Sequence, residues 1–176
     1  MTAMALQALA PYYGTNTEVK EAVDKAIECL SDLQNSDGGY ASWGTTNSES
    51  CAQVITALTA LGIDPDNDSR FVKNGNSVVD AFLSFYVEGG GFAHVAGGGV
   101  NGMATEQGYY TLAAYSRWVN GQTSLYDMSD VEIEAGGNTD SGDNTGEEPA
   151  AKPDTGNAPK TGDTSDMLPW LALILL

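Results

Sequence analysis

Gly38-Gly39-Tyr40-Ala41 is the stretch that decides the fold of this chain, because it returns as Gly90-Gly91-Phe92-Ala93. The residues before it return too: Leu30 corresponds to Phe82. A glycine pair lets the chain leave a helix through backbone angles that other residues resist, and the aromatic that follows fills the space between two helices. The repeating unit is therefore helix, glycine-aromatic loop, helix, with a period of about 50 residues.

Five helices are predicted by the 3.6-residue period of the apolar side chains. They cover about residues 2–12, 17–34, 48–61, 76–87 and 103–119. Each helical hairpin has an apolar face that it cannot bury alone, so the units must stack on neighbours. The chain holds about two and a half units and opens directly into a helix with neither cap nor signal peptide. We therefore expect N-terminal repeats to be missing.

The segment Gln34–Tyr40, followed by Trp43, resembles the glutamine-aromatic turn of the prenyltransferase and squalene-cyclase repeat superfamily. The run Ser50–Pro65 resembles an inner helix of extracellular bacterial members, which are often compared with the cobalamin carriers of the intrinsic-factor and transcobalamin type. The resemblance covers about residues 2–119. It implies an all-α fold, in which residues 1–128 form a partial α/α toroid whose inner helices line a cavity.

In that architecture the loops and the starts of the inner helices meet at one mouth of the cavity, where aromatic and polar groups would hold a ligand. The candidate ligand-binding residues are Tyr40, Trp43, Glu49, Phe92, His94, Glu106 and Gln107. In the alternative interpretation, Tyr40 and Phe92 only fill space and His94 has no functional role. A corrinoid-like small molecule is the ligand that the resemblance implies, and no other cofactor is predicted.

No complete catalytic or metal site is predicted. Glu49-x-Cys51 resembles the start of the zinc site of protein prenyltransferases, but His94 falls in a loop instead of on the next inner helix. The acidic run Asp64–Asp68 fails as a calcium loop, since Ser69 stands where glycine belongs, and it predicts a capped turn.

The charge and the cysteines restrict the function further. The formal net charge of −17 argues against nucleic acid as a partner, because phosphate binding depends on clustered Lys and Arg. Cys29 and Cys51 lie on consecutive predicted helices, and the sequence is compatible both with one disulfide and with two semi-buried thiols.

The C-terminal part has a different composition. Residues 129–157 are acidic with almost no large apolar side chains, which predicts a disordered linker. Ala158-Pro159-Lys160-Thr161-Gly162-Asp163 resembles a sortase sorting signal of the Leu-Pro-x-Thr-Gly type, with Ala158 in place of leucine. The resemblance implies cleavage between Thr161 and Gly162. The apolar run 167–176 is shorter than the roughly 20 residues that span a bilayer, so residues 158–176 are predicted to be a truncated signal with a partial transmembrane segment.

The sequence thus predicts an extracellular, cell-wall-anchored surface protein of a Gram-positive bacterium, with a non-catalytic toroid that binds a small ligand. Its expected partners are sortase, peptidoglycan and the ligand; no nucleic acid is expected, and membrane contact only through the C-terminal segment before sorting. Two alternatives stay open. One is a terpenoid cyclase or lyase-type enzyme whose catalytic residues lie in missing N-terminal repeats. The other is an adhesin or spacer that binds a host or wall component.

Overall fold

The computed structural model describes residues 1–132, which form five α-helices and two short β-hairpins. The helices are α1 (Thr2–Leu9), α2 (Thr17–Leu33), α3 (Ser48–Ala60), α4 (Val78–Leu83) and α5 (Gly102–Val119). The strands are β1 (Ala41–Ser42), β2 (Thr45–Thr46), β3 (Val72–Lys73) and β4 (Asn76–Ser77). The predicted sorting signal and most of the predicted linker, from residue 133 onward, lie outside the described residues.

Asparagine caps fix where three of the helices begin. The side chains of Asn16, Asn47 and Asn101 each accept a hydrogen bond from the backbone N–H three residues further on, at 2.9–3.1 Å. Such a cap satisfies one of the free N–H groups of the first turn and stabilises a helix by about 1 kcal/mol. Helix α4 begins instead with a capping box, in which Ser77 and Asp80 bond to each other's backbone.

The predicted all-α class is wrong, because residues 1–132 have a mixed fold with two antiparallel two-stranded sheets. The first hairpin pairs Ser42 with Thr45 and the second pairs Lys73 with Asn76, so each has a two-residue turn. Both residues of each turn, Trp43-Gly44 and Asn74-Gly75, have positive φ, as a type I′ turn requires. The period of the apolar residues gave no sign of these strands, since each is only two residues long.

The predicted toroid is also wrong for the described residues, because their helices form no such ring. Helix α3 is central: it contacts α1, α4 and α5, while α2 packs on α1. The fourth helix is shorter than the predicted 76–87 at both ends: the turn at Asn74-Gly75 leads residues 76–77 into β4, and the helix ends at Leu83 in a turn. The other four helices lie close to their predicted positions.

The glycine-aromatic repeat itself is confirmed by the backbone. The two loops close with the same hydrogen bonds between equivalent residues, and each ends at the asparagine that caps the next helix, α3 or α5. In the first loop the N–H of Asn35 donates to the carbonyl oxygen of Gly39 (2.9 Å), and the N–H of Asn47 donates to that of Tyr40 (3.2 Å). In the second loop the equivalent donors are Val87, to the carbonyl oxygen of Gly91 (2.9 Å), and Asn101, to that of Phe92 (2.9 Å).

The aromatic residues of both loops are part of the core. Tyr40 and Phe92 are buried, and the Phe92 ring stacks on Phe82 with 4.6 Å between the ring centroids. Phe92 also fills the space beside Gly108 of α5, where a Cβ atom would lie 2.4 Å from the ring. Close packing of this kind makes the loop a fixed frame for the residues that it presents.

Candidate ligand-binding cleft

A cleft of about 630 Å³ opens between α1, the first hairpin and the N-terminal ends of α3 and α5. Its volume lies within the range of small-ligand sites. Apolar side chains such as Leu30, Val54 and Met103 line part of it. Besides Tyr40, the polar residues that line the cleft are Thr2, Asn35, Ser42, Asn47, Glu49, Ser50, Gln53, His94 and Gln107.

The side chains of Glu49 and His94 lie within ion-pair distance of each other at this cleft. The Nδ1 atom of His94 lies 2.9 and 2.8 Å from the two carboxylate oxygens of Glu49. An ionised carboxylate can only accept, so Nδ1 carries the proton, and in the neutral ring Nε2 is left as an acceptor. The His94 side chain is 54% exposed and that of Glu49 15%, so the imidazole is accessible while the carboxylate holds it in place.

The backbone brings these two side chains together. Asn47 caps α3, which places Glu49 in the first turn, where a negative charge is favoured by the helix dipole. The backbone N–H of Ser48 donates to the carbonyl oxygen of His94 at 3.1 Å. This bond fastens the second glycine-aromatic loop to the start of α3.

Three glutamines form a row of amides across α1, α3 and α5. The Nε2 atom of Gln7 donates to Oε1 of Gln53 at 2.9 Å, and Nε2 of Gln53 donates to Oε1 of Gln107 at 3.0 Å. Gln53 also contacts the hydroxyl group of Tyr110. Because the Oε1 atom of Gln107 accepts within the row, its orientation is fixed and its Nε2 group remains as a donor beside the cleft.

Tyr40 forms part of the cleft wall through its ring. Its hydroxyl group donates to the carbonyl oxygen of Leu30 at 2.9 Å, and burial raises the pKa of this hydroxyl above its ordinary value. The phenol therefore stays protonated and is engaged with the protein. We expect Tyr40 to offer a ligand an apolar surface and no hydrogen bond.

The structure thus brings together four of the seven predicted ligand-binding residues, Tyr40, Glu49, His94 and Gln107. The other three are elsewhere: Phe92 is fully buried in the core, while Glu106 and Trp43 are exposed and do not line the cleft. Sequence reasoning missed Gln53 and the cap Asn47. Gln7, Gln53 and Gln107 each lie six residues after the N-cap of their helix, and this recurrence is the signal that could have identified the row.

The two cysteines are free thiols. Cys29 is exposed and Cys51 is buried, and they form no disulfide. Burial raises the pKa of Cys51 to about 12, so it is protonated at neutral pH and is a poor nucleophile and metal ligand. Within residues 1–132, no group of three acidic, histidine or cysteine side chains is arranged to bind a metal. In the same part of the chain, no helix is both long and apolar enough to span a membrane.

Comparison with known proteins gives no relative: no family, curated protein or solved structure matches this chain. The resemblance to the prenyltransferase and squalene-cyclase repeats, and that to a sortase signal, therefore stay predictions from the sequence. What the site can do must be argued from its own geometry.

Proposed function

We propose that this protein is a surface binding module, in which the cleft beside α3 binds a small ligand without chemical conversion. The observation that carries the proposal is the pairing of Glu49 with His94 at the wall of the 630 Å³ cleft. The pair supplies one oriented imidazole nitrogen, and Gln107 supplies an oriented amide. An apolar cleft with a few fixed polar groups suits recognition of a ligand that has both apolar and polar parts.

Binding is favoured over catalysis by the partners of His94. In the described residues its side chain has a carboxylate partner and no hydroxyl or thiol partner, so no side-chain nucleophile stands beside the imidazole. The buried thiol of Cys51 does not serve either, because its pKa of about 12 keeps it protonated. An oriented imidazole without a nucleophile can still accept a hydrogen bond or coordinate a metal centre carried by the ligand.

The ligand class is tested by two probes that differ in how His94 would engage them. Hydroxocobalamin offers a cobalt ion whose bound water an imidazole nitrogen can replace, and that exchange changes the visible absorption spectrum. Farnesol offers an apolar chain with one hydroxyl group. We expect calorimetric titration to detect one of them, and the spectral change if the ligand is a corrinoid.

The variants H94Q and E49Q separate the pair from the rest of the cleft. Each should weaken binding by about tenfold, the loss of one oriented polar contact. The control D24N removes a carboxylate that pairs with Lys20 on the exposed face of α2, away from the cleft, and should leave the affinity unchanged. Absence of binding by both probes, or unchanged binding by H94Q, would contradict the proposal.

We also propose that the protein is attached to the cell wall by sortase through residues 158–163. The support is the sequence order, in which Pro159-Lys160-Thr161-Gly162 follows an acidic segment and precedes the apolar run 167–176. A chance Pro-Lys-Thr-Gly in a polar tail would not be expected to have an apolar run just downstream.

Cleavage by a purified housekeeping sortase, with triglycine as the acceptor, tests the attachment. Mass spectrometry should find triglycine joined to Thr161. The chain contains a second Pro-x-Thr-Gly motif, Pro153-Asp154-Thr155-Gly156, which serves as an internal control. T161A should abolish the product and T155A should not. A product ending at Thr155, or none, would overturn the assignment.

A further inference from the structure

The tip of the first hairpin carries a tryptophan where neither the turn nor the core requires one. Trp43 has φ of 52° and is followed by Gly44 at 81°; Asn74 and Gly75 form the corresponding turn of the second hairpin, at 53° and 84°. The backbone is thus the same in both. Asparagine suits the left-handed first position of this turn, whereas a bulky residue there is an outlier. The turn geometry therefore does not account for Trp43.

Packing does not account for it either. Trp43 as a residue has a relative exposure of 104%, so the indole rests against no other part of the described chain. By contrast, the aromatic residues that follow the two glycine pairs, Tyr40 and Phe92, are 5% and 0% exposed. A strained residue that contributes nothing to the fold is the kind of position where function sets the side chain.

The surroundings of Trp43 indicate the chemistry of what it contacts. Residues 41–46 carry no charge, and hydroxyl groups lie on both sides of the tip at Ser42 and Thr45. These two residues are exposed. A flat aromatic face beside hydroxyl groups matches a sugar ring, whose C–H face can lie on the indole while its own hydroxyls bond to the side chains.

Other occupants fit less well. A stable protein partner needs roughly 800 Å² on each side, far more than a two-residue tip offers. An anionic membrane surface or nucleic acid is repelled by a chain with a net charge of −17. A membrane-binding surface also needs several apolar side chains, and residues 41–46 supply only one large one, Trp43.

We propose that the β1–β2 hairpin is a second binding site, at which the indole of Trp43 stacks on a neutral glycan with Ser42 and Thr45 as hydrogen-bonding partners. Trp43 does not line the cleft, so this site does not depend on the ligand proposed for it. Ser42 lies at the boundary of both sites, and the two ligands can therefore be neighbours.

The test is titration of the full chain with chitohexaose and with cellohexaose, which distinguishes N-acetylated from plain hexose chains. Binding of either supports the proposal. W43N should raise the dissociation constant at least about tenfold while keeping the fold, because Asn74 already occupies the same turn. W43Y keeps an aromatic face and should retain part of the affinity.

Two controls complete the design. The half-buried Trp118 stacks on Tyr115, so W118F changes the tryptophan content without touching the tip and should bind normally. H94Q should also bind the glycan normally, which separates this site from the cleft. Failure of both glycans to bind, or unchanged binding by W43N, would overturn the proposal. So would sedimentation with neutral phosphatidylcholine vesicles that depends on Trp43 and occurs without glycan binding.

Discussion

The two glycine-aromatic loops have the same backbone frame, which consists of the hydrogen bonds that close each loop. They differ in the residues that lie between the two ends of this frame. Both close with the same hydrogen bonds, and both bury one aromatic residue. Between Tyr40 and Asn47 the first loop forms a six-residue hairpin with Trp43 at its tip. Between Phe92 and Asn101 the second loop is two residues longer and presents His94 to Glu49.

This difference separates structural from functional positions. The glycines, the buried aromatic and the capping asparagine serve the same purpose in both copies. The residues that vary, Trp43 in one loop and His94 in the other, are those that packing leaves exposed. Rigid frames that hold variable, exposed segments are where binding groups are commonly found. Changes to the frame should therefore reduce stability, and changes to the carried residues should not.

The largest effect is expected from F92A. Phe92 is fully buried, stacks on Phe82 and fills the space beside Gly108, so its removal leaves a cavity at the centre of the second unit. We expect the free energy of unfolding to fall by about 3–5 kcal/mol in urea titrations. F92L, which keeps most of the volume, is the control and should cost clearly less. A loss below about 1 kcal/mol for F92A would show that Phe92 is not a core residue.

A matched pair of glycines tests whether the two frames are equally constrained. Gly38 and Gly90 are equivalent and both have positive φ, 82° and 123°. A Cβ on Gly38 would lie 2.5 Å from the backbone oxygen of Ser77, whereas one on Gly90 would meet nothing within 4 Å. G90A should cost only the strain of the left-handed region, about 1–2 kcal/mol.

G38A should cost more, about 3 kcal/mol, because the second hairpin would have to move away as well. Chemical denaturation of both variants under the same conditions measures the difference. Equal losses would mean that Gly38 is not held against β4, and that the first loop is as free as the second.

The sequence predicted the parts of this fold that depend on local order. The helix positions followed from apolar periodicity and the loops from Gly38-Gly39-Tyr40 and its repeat. The hairpins were missed, although Asn74-Gly75 is a strong turn signal, because two-residue strands leave no alternating pattern. Of the site, His94 and Glu49 were named from their positions in loops and helix starts. Their pairing depends on the bond from Ser48 to the His94 carbonyl, a contact between distant segments that no local pattern encodes.

A smaller effect is expected from Y40F, which compares the two buried aromatics directly. Tyr40 differs from Phe92 in its hydroxyl group, which donates to the carbonyl oxygen of Leu30 in the last turn of α2. Removing it should lower the free energy of unfolding by about 1 kcal/mol, the usual net value of such a bond. Thermal unfolding followed by circular dichroism measures this. The control is Y12F, because Tyr12 is exposed and the loss of its hydroxyl group should leave the free energy of unfolding unchanged. L30A is not a suitable control, since it also removes core volume.

The smallest effect has the opposite sign. W43N should stabilise the protein by about 0.5–1 kcal/mol, because asparagine tolerates the left-handed turn position better than tryptophan and no packing is lost. The change N74W places tryptophan in the other hairpin with the same backbone angles, and it also removes the hydrogen bond from Nδ2 of Asn74 to the carbonyl oxygen of Ser36 (3.1 Å), so it should destabilise by more, about 1–2 kcal/mol. Denaturant midpoints of the two variants and of the double variant should show nearly additive changes, since the hairpins are separate sheets. If W43N instead lowers stability, the indole contributes to the fold, and its exposure would no longer support a role in glycan binding.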